Sequence, residues 1–273
     1  RDTDRSRGLG DVYKRQSQQV IPTEIGRKVV EQAWKVLVRA NRIHDIVNEE
    51  RQSLAGTFSL GILPTIAPYL LPRFFTRLQR EHPEADIRVM EMKTADIKRA
   101  LNRGELDAAI LVSLDDMDHY VQTPLFYEQF LAYVSRGDAL FSHKAIKTSD
   151  LNNEFLWLLE EGHCFRDQLV KFCQLKSADS SKKTYSLGSI ETFMRMVEGG
   201  QGVTFIPELA LEQLSPAQHE LVRPFALPIP VREVVLLTTR AFVRHSVLNL
   251  IADAVRRSVP QRMLQFNNTE QRV

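Results

Sequence analysis

Short apolar runs alternate with amphipathic segments from Thr57 to Ser258, and this alternation constrains the fold more than any other feature of the chain. It predicts an α/β fold with parallel sheets and right-handed crossovers. The predicted strands are Thr57–Leu63, Asp86–Met92, Asp107–Val112, Phe130–Ser135, Phe155–Leu159, Thr184–Leu187, Val203–Pro207 and Glu233–Thr239. The predicted helices are Thr65 to about Arg80, Ala95–Asn102, Cys164–Leu175, Ile190–Glu198 and Ser246–Ser258.

The length of 273 residues is sufficient for two domain-sized cores. Strands near positions 127 and 225 are predicted to cross between two doubly wound lobes. Lobe I then comprises about 56–127 and 225–260, and lobe II about 128–224. Ligands of such folds bind at the carboxyl ends of the strands, where the strand order reverses, so we expect a ligand in the cleft between the lobes. The polar residues 261–273 are predicted to form a loose tail.

A long helix precedes the first predicted strand, and residues 27–55 are interpreted as a linker. Thr23 is predicted to cap its N-terminus. Apolar residues recur along it with a heptad pattern, and charged residues occupy the other faces. Such a seam can pack against its own chain or against a second copy, and we expect it to dimerise. The seam consists of Val29, Ala33, Val36, Ala40, Ile43 and Val47, with Leu54 extending it.

Residues 1–16 carry five basic and three acidic residues, which accounts for the whole net charge of +2. The segment has no apolar periodicity and no initiator methionine, so it is interpreted as non-native lead sequence. The alternative is a basic arm that contacts nucleic acid.

Cys164 and Cys173 are the only cysteines. Phe165, Leu169 and Phe172 recur at helical spacing, which predicts that both thiols lie on one helix. Nine helical residues span about 13 Å, whereas a disulfide requires Cα atoms within about 7 Å. The two thiols therefore cannot bond while the helix persists, and a disulfide would require the helix to unwind.

Cys164 follows His163 at the predicted helix N-terminus, where the helix dipole stabilises a thiolate. Arg166 can add a positive charge, whereas Glu160 and its neighbouring glutamate oppose ionisation. The direction of the net pKa shift therefore stays open. The simplest alternative is that both cysteines are small buried apolar side chains.

Other chemistries find little support in the sequence. The seven histidines have no metal-ligand spacing, so no metal is expected. No phosphate-binding glycine loop precedes a helix, and no cofactor is predicted. No apolar run approaches the ~18 residues of a membrane helix. With two cysteines, a disulfide scaffold is excluded and a cytoplasmic location is expected.

Several motifs resemble those of the LysR-type transcriptional regulators, whose regulatory domain is similar to a periplasmic binding protein. They are Ile21–Gly26 at the end of a winged helix-turn-helix, Leu60–Pro72 at the opening of lobe I, Gly104–Ile110 as a G-x-L-D strand entry, and Gly199–Pro207 as a turn of lobe II. The resemblance covers about residues 18–260. The recognition helix of the family is absent or replaced by residues 1–16, so residues 17–26 are interpreted as a remnant of the DNA-binding domain. No DNA-contacting residue can be assigned.

Within that family, Gly-His-Cys-Phe-Arg-Asp-Gln with a second cysteine nine residues on is similar to the members that sense hydrogen peroxide. The resemblance implies that Cys164 reacts with peroxide and that Cys173 then forms a reversible disulfide with it. It also implies that five residues line the peroxide pocket, namely Thr65, Thr94, His163, Arg166 and Asp167. For the two threonines, helix capping alone is the alternative, and Asp167 either relays a proton or pairs with Arg166. The partners implied are DNA, RNA polymerase and further copies of the chain, as a dimer or tetramer. No enzymatic activity is expected.

Three other functions are compatible with parts of the sequence. The first is a LysR-type regulator that senses a small organic anion in the interlobe cleft, with incidental cysteines. The second is a thiol peroxidase, which would leave the linker helix without a role. The third is a solute-binding protein of a transport system. It is disfavoured, because no export signal is recognised in the sequence and the linker helix would have no role.

Overall fold

The structure, a computed structural model, describes residues 23–160, 162–174, 189–200 and 202–273. The chain divides into two compact units, with the boundary between Asn41 and Arg42. Within the described ranges the helices are α1 (Glu24–Glu50), α2 (Ala67–Glu81), α3 (Thr94–Arg103), α4 (Cys164–Cys173), α5 (Ile190–Glu198), α6 (Pro216–His219) and α7 (His245–Ser258). The strands are β1 (Gly56–Ile62), β2 (Ala85–Glu91), β3 (Ala108–Val112), β4 (Tyr120–Val134), β5 (Val203–Pro207), β6 (Val222–Pro224), β7 (Ile229–Thr239) and β8 (Glu270–Arg272).

Helix α1 begins after Thr23, whose hydroxyl accepts a hydrogen bond from the Gly26 N–H at 3.1 Å. The predicted N-cap is therefore confirmed. The large side chains of the heptad seam are between 45% and 66% exposed, at Val29, Val36, Ile43 and Val47. Residues 1–16, and residues 17–22 of the expected helix-turn-helix remnant, lie outside the described residues.

The strands form one sheet in the order β2-β1-β3-β7-β4-β5, with β6 paired to β4 and β8 paired to β7. Strands β4 and β7 run antiparallel along Tyr120–Gln129 and Val231–Thr239. Strand β4 then continues from Phe130 to Val134 beside β5, and so carries the sheet from the first lobe into the second. The predicted α/β fold of two lobes joined by two crossing strands is confirmed. The second crossing strand begins at Ile229, slightly later than expected.

The expectation of parallel pairing is correct for β1 with β2 and β3 and for two isolated bridges of the second lobe, but it is wrong for the long strand β4 in that lobe. There, β4 pairs antiparallel with both β5 and β6. The reason is that β4 enters the second lobe directly as one 15-residue strand, so no crossover helix resets its direction.

Two further expectations need correction. The predicted strand Phe155–Leu159 is reduced to a single bridge between Leu156 and Val203. The predicted loose tail is ordered by sheet pairing, because β8 pairs with the start of β7 and a short 3-10 helix spans Gln261–Leu264. The predicted strand Thr184–Leu187 lies outside the described residues.

The G-x-L-D motif has a clear local role at the start of β3. Gly104 ends α3 with a φ of 70°, a left-handed conformation that favours glycine. Asp107 then accepts a hydrogen bond from the Ser59 N–H at 2.7 Å. The motif thus ends the helix and ties the neighbouring strands β1 and β3 together.

The last turn of α1 is tied to the first lobe. The Glu49 carboxylate accepts hydrogen bonds from the Ser246 N–H at 3.0 and 3.1 Å and from its hydroxyl at 3.1 Å. Arg244, which is buried, donates to the backbone oxygens of Thr57 and Ala55 at 2.8 and 2.9 Å. Among the described residues, no helix is long and apolar enough to cross a membrane.

Candidate functional site

Helix α4 carries Cys164 in its first position and Cys173 in its last, as predicted. Both cysteines are buried free thiols. His163 precedes the helix in an extended conformation, and Gln174 ends it with a left-handed φ of 50°. At a rise of about 1.5 Å per residue, the helix separates the two Cα atoms by about 13 Å. No disulfide is compatible with this conformation.

Apolar packing holds α4 against the second lobe. Phe165 and Leu169 are buried, and the Phe165 ring lies 4.8 Å from that of Phe130 on β4. Phe172 makes an edge contact with Phe225 at 6.1 Å. Helix α4 is therefore held mainly by these ring and aliphatic contacts, which it must give up in order to unwind.

A buried ion pair between Arg232 and Glu128 lies behind the reactive helix. The Arg232 Nε donates to the Glu128 carboxylate at 2.8 Å, and its Nη2 lies 2.6 Å from the same oxygen. The guanidinium also lies 5.0 Å from the centre of the Phe165 ring. Glu128 accepts a further bond from the Leu209 N–H at 3.0 Å. This network places a fixed positive charge at the interface between β7, β4 and α4.

The electrostatics at Cys164 reflect two opposed effects. Burial raises the pKa of the Cys164 thiol above its ordinary value, and the charge of Asp167 raises it further. The charge of Arg232, the nearby Thr94 hydroxyl and the Phe165 N–H all lower the pKa. Because burial dominates, the resting thiol is protonated at neutral pH, and Arg232 is the positive charge that stabilises its thiolate.

Thr65 and Thr94 do not cap their helices. Helix α2 is preceded by Ile66, helix α3 by Lys93, and neither N-terminus has a side-chain cap. The buried Thr65 hydroxyl instead accepts from Arg232 Nη1 at 3.2 Å, and its carbonyl accepts from Nη2 at 3.0 Å. The Thr94 hydroxyl is buried without a conventional hydrogen-bond partner among the described residues, although it lies close enough to the Cys164 thiol to lower its pKa. The capping alternative is therefore wrong for both threonines.

The remaining predicted residues surround the start of α4. Burial and then Lys93 lower the pKa of His163 below its ordinary value, so its imidazole is neutral at neutral pH. Arg166 is largely buried and lies 3.4 Å from Asp167. Asp167 thus pairs with Arg166 and also lines the cleft beside Cys164.

A cleft of about 590 Å³ opens beside Cys164. Its walls come from the end of β3, from α4, from β7 and from β8. The lining residues are Ser113, Leu114, Asp115, Cys164, Asp167, Gln168, Lys171, Phe172, Gln174, Glu233, Gln271, Arg272 and Val273. The cleft lies between the lobes, where the sequence predicts a ligand. Among the described residues, no group of three or more His, Cys, Asp or Glu side chains is arranged to hold a metal.

Cys173 lies in a different environment. It is buried on α4, and burial raises the pKa of its thiol to about 12. This thiol is therefore protonated and unreactive while α4 remains folded.

Arg232 and Glu128 were not predicted from the sequence. A usable signal exists, since each is a charged residue inside a strand that is otherwise mainly apolar, IPVREVVLLTT and YVQTPLFYEQFLAYV. Charges at such positions are seldom buried unless they are paired. The sequence does not show that the two strands bring these charges together.

The two α/β lobes and the strands that cross between them have the architecture of an effector-binding regulatory domain. A family model described as the LysR substrate binding domain matches residues 51–260. The chain therefore belongs to the LysR family of transcriptional regulators, as the motifs predicted.

The relatives of this chain include proteins named hydrogen peroxide-inducible genes activator. The protein named hydrogen peroxide-inducible genes activator of Dickeya chrysanthemi is 30% identical over 245 residues, which cover 90% of this chain and 80% of that protein. The DNA-binding transcriptional dual regulator OxyR of Escherichia coli K12 is 29% identical over 90% of this chain and 80% of its own length. The crystal structure of OxyR from Porphyromonas gingivalis is 46% identical with a TM-score of 0.74, and the match covers 80% of this chain and 99% of that chain.

Proposed function

We propose that this protein is a LysR-type transcriptional regulator that senses hydrogen peroxide through reversible disulfide formation between Cys164 and Cys173. The observation that carries the proposal is the setting of Cys164. It is a buried thiol at a helix N-terminus, where the charge of Arg232 opposes the rise in pKa that burial causes, and the neighbouring Thr94 hydroxyl has no conventional hydrogen-bond partner among the described residues. The partner thiol lies at the far end of the same helix.

In the first step the Cys164 thiolate attacks one oxygen of hydrogen peroxide. The S–O bond forms as the O–O bond breaks, the sulfur is oxidised to a sulfenic acid, and the leaving hydroxide takes up a proton to become water. The Thr94 hydroxyl is placed to bond the peroxide, and Thr65 fixes Arg232 beside it. Asp167 lines the cleft and His163 precedes Cys164 in the chain. These two side chains relay the proton that the Cys164 thiol loses to the leaving hydroxide, while Arg166 positions Asp167.

In the second step Cys173 attacks the sulfenic sulfur. The S–S bond forms as the S–O bond breaks, and the departing hydroxide again becomes water. Because the helix holds the thiols about 13 Å apart, α4 must first unwind. Exposure of Phe165 and Leu169 then costs ~1.5–3 kcal/mol each. The same unwinding releases Cys173 from the burial that keeps it protonated.

The proposed regulator acts as an oligomer on DNA. The exposed seam of α1 gives it a surface for dimerisation, and a second contact between regulatory domains would make a tetramer. Disulfide formation changes the surface of the second lobe around α4, and this change is passed to DNA and RNA polymerase. A cytoplasmic location, where thiols stay reduced until stressed, suits such a switch.

Thiol mapping tests the proposal. The full chain is treated briefly with equimolar hydrogen peroxide, the remaining thiols are alkylated, and the peptides are analysed by mass spectrometry. We expect a Cys164–Cys173 disulfide in the unaltered chain, a sulfenic acid trapped by dimedone at Cys164 in Cys173→Ser, and no reaction in Cys164→Ser. Two free thiols in the unaltered chain would contradict the proposal.

The alternative of a thiol peroxidase predicts catalytic turnover. We expect peroxide consumption to stop after about one equivalent per chain unless a reductant restores the thiols slowly. Rapid multiple turnover with dithiothreitol, at a rate independent of DNA, would favour the enzyme.

A regulator that senses a small organic anion remains the second candidate. The cleft volume of about 590 Å³ falls within the range of small-molecule sites, and Lys171 lines it. If a carboxylate metabolite stabilises Cys164→Ser/Cys173→Ser against heat and alters its DNA binding, this candidate gains support.

A further inference from the structure

The C-terminal segment, defined here as residues 266–273, is built into the sheet beside the reactive helix. Strand β8 pairs in parallel with Ile229–Val231 at the start of β7. The Ile229 N–H donates to the Thr269 oxygen at 2.9 Å, and the Val273 N–H donates to the Val231 oxygen at 3.1 Å. Arg232, the cation of the thiol site, follows these paired residues directly. The C-terminal segment therefore pairs with β7, the same strand that carries the cation of the thiol site.

Arg272 anchors this segment. Its Nη1 lies 2.9 Å from Glu233, and its Nη2 donates to the Tyr127 hydroxyl at 2.9 Å. The guanidinium also lies 5.1 Å from the ring centres of both Tyr127 and Phe266. These contacts hold the C-terminal segment on the crossing strands β4 and β7.

Gln168 connects the C-terminal segment to α4. Its Nε2 donates to the Val273 carbonyl at 2.5 Å. The residue is buried and lies one helical turn after Cys164, inside the stretch that must unwind. Its Oε1 is buried without a hydrogen-bond partner among the described residues. While α4 is folded, the side-chain nitrogen of Gln168 therefore keeps its hydrogen bond to Val273. The side-chain oxygen is hydrated only when the helix opens.

We propose that the C-terminal segment holds α4 in its helical, reduced conformation, and that Gln168 is a positioning residue for the disulfide step. This inference rests on the proposed function. Since the Gln168–Val273 bond exists only while α4 is folded, the segment biases the equilibrium toward the dithiol. Disulfide formation in turn weakens the binding of the C-terminal segment to α4, because the coupling between the two is reciprocal.

The two chemical steps respond differently. Formation of the sulfenic acid takes place in the folded site and does not require release of the C-terminal segment. Attack by Cys173 expels hydroxide from the Cys164 sulfenic acid and requires α4 to unwind. Unwinding breaks the hydrogen bond between Gln168 and Val273. Loosening the segment is therefore expected to accelerate the second step and to leave the first unchanged.

A double-mutant cycle on the full chain tests this with Arg272→Ala, Gln168→Ala and the double variant. The disulfide reduction potential is measured by equilibration with dithiothreitol redox buffers, and the two steps are timed by dimedone trapping and thiol alkylation. We expect Arg272→Ala to favour the disulfide about threefold, which lowers the potential by about 14 mV. Arg272 also lines the cleft beside Cys164, so the rate of sulfenic acid formation is measured in the same samples to separate an effect on the cleft from an effect on the disulfide step. In the Gln168→Ala background, Arg272→Ala should not change the disulfide reduction potential further.

Arg240→Ala is the matched control, because Arg240 is exposed, donates to the Asp118 carbonyl and is not among the residues that line the cleft. An Arg272→Ala potential equal to that of Arg240→Ala would overturn the inference, as would an effect that persists without Gln168. Failure of the unaltered chain to form any disulfide would instead refute the proposed function itself.

Discussion

At the scale of single residues, the thiol site is governed by one buried cation. Arg232 binds Glu128 and Thr65 and lowers the pKa of the Cys164 thiol against the opposing effect of burial. Removing Arg232 alone would leave Glu128 as an unpaired buried charge, which typically costs 3–5 kcal/mol. The electrostatic role of Arg232 is therefore best separated from its structural role by replacing both partners.

We predict that Arg232→Met/Glu128→Leu folds but reacts more slowly with peroxide at pH 7. Loss of the cation raises the pKa of Cys164 further, and the thiolate fraction at a given pH falls about tenfold for each unit of that rise. Stopped-flow oxidation across a pH series measures this, with circular dichroism as the check on folding. An unchanged rate at pH 7 would show that Arg232 does not activate the thiol.

The Cys173 thiol makes stability depend on pH. Its folded pKa of about 12 lies above the ordinary value of 9.0, so the folded state retains the proton more tightly than the unfolded chain does. This contribution is fully present below about pH 9 and is lost as the pH rises toward about 12, at roughly 1.4 kcal/mol per pH unit. Urea unfolding of the unaltered chain and Cys173→Ala at pH 8, 9 and 10 should show a shallower decline for the variant. Parallel declines would contradict the assigned burial of this thiol.

At the scale of elements, the N-termini of α4 and α7 have different roles. The N-terminus of α4 carries the reactive thiol, whereas the N-terminus of α7 receives the Glu49 carboxylate from the last turn of α1. A carboxylate at this position satisfies an otherwise unpaired N–H and complements the helix dipole. The contact fixes the end of the linker helix on the first lobe.

We predict that Glu49→Ala lowers the free energy of unfolding by about 1 kcal/mol, the usual contribution of a helix cap. Glu50→Ala, at a neighbouring exposed position, serves as the control and should change it by less than about 0.5 kcal/mol. Equal effects of the two substitutions would show that the Glu49 cap contributes no stability.

Elements with strong periodicity could be predicted from the sequence, and the contacts between distant segments could not. The spacing of Phe165 and Leu169 predicts α4 correctly because helical amphipathicity is a local property. Thr65 and Thr94 were ambiguous because a threonine before a helix usually caps it, and only the folded chain brings Arg232 to Thr65. Strand β8 is polar and three residues long, so nothing local distinguishes it from a loose tail until β7 offers it backbone partners.

At the scale of the whole molecule, self-association is expected to run through α1. Its seam residues are exposed at both ends of the helix, and a stripe of Val, Ala and Ile in water favours association.

We predict that the chain is at least dimeric at tens of micromolar and that Val29→Glu/Val36→Glu shifts it toward monomer. Arg27→Glu changes charge at an exposed position outside the seam and should leave the assembly intact. Multi-angle light scattering measures the mass of each variant. A role for the seam would be contradicted if the unaltered chain were monomeric. It would also be contradicted if Val29→Glu/Val36→Glu had the same oligomeric mass as Arg27→Glu.

The central claim is that the helix joining the two thiols must open for the switch to operate. Hydrogen exchange, followed by mass spectrometry on the full chain before and after equimolar peroxide, tests it most directly. We predict that amides of residues 164–174 lose protection as the Cys164–Cys173 disulfide forms, while the amides of β3 keep theirs, and that dithiothreitol restores the original pattern. A disulfide that forms while protection across α4 stays unchanged would contradict the account.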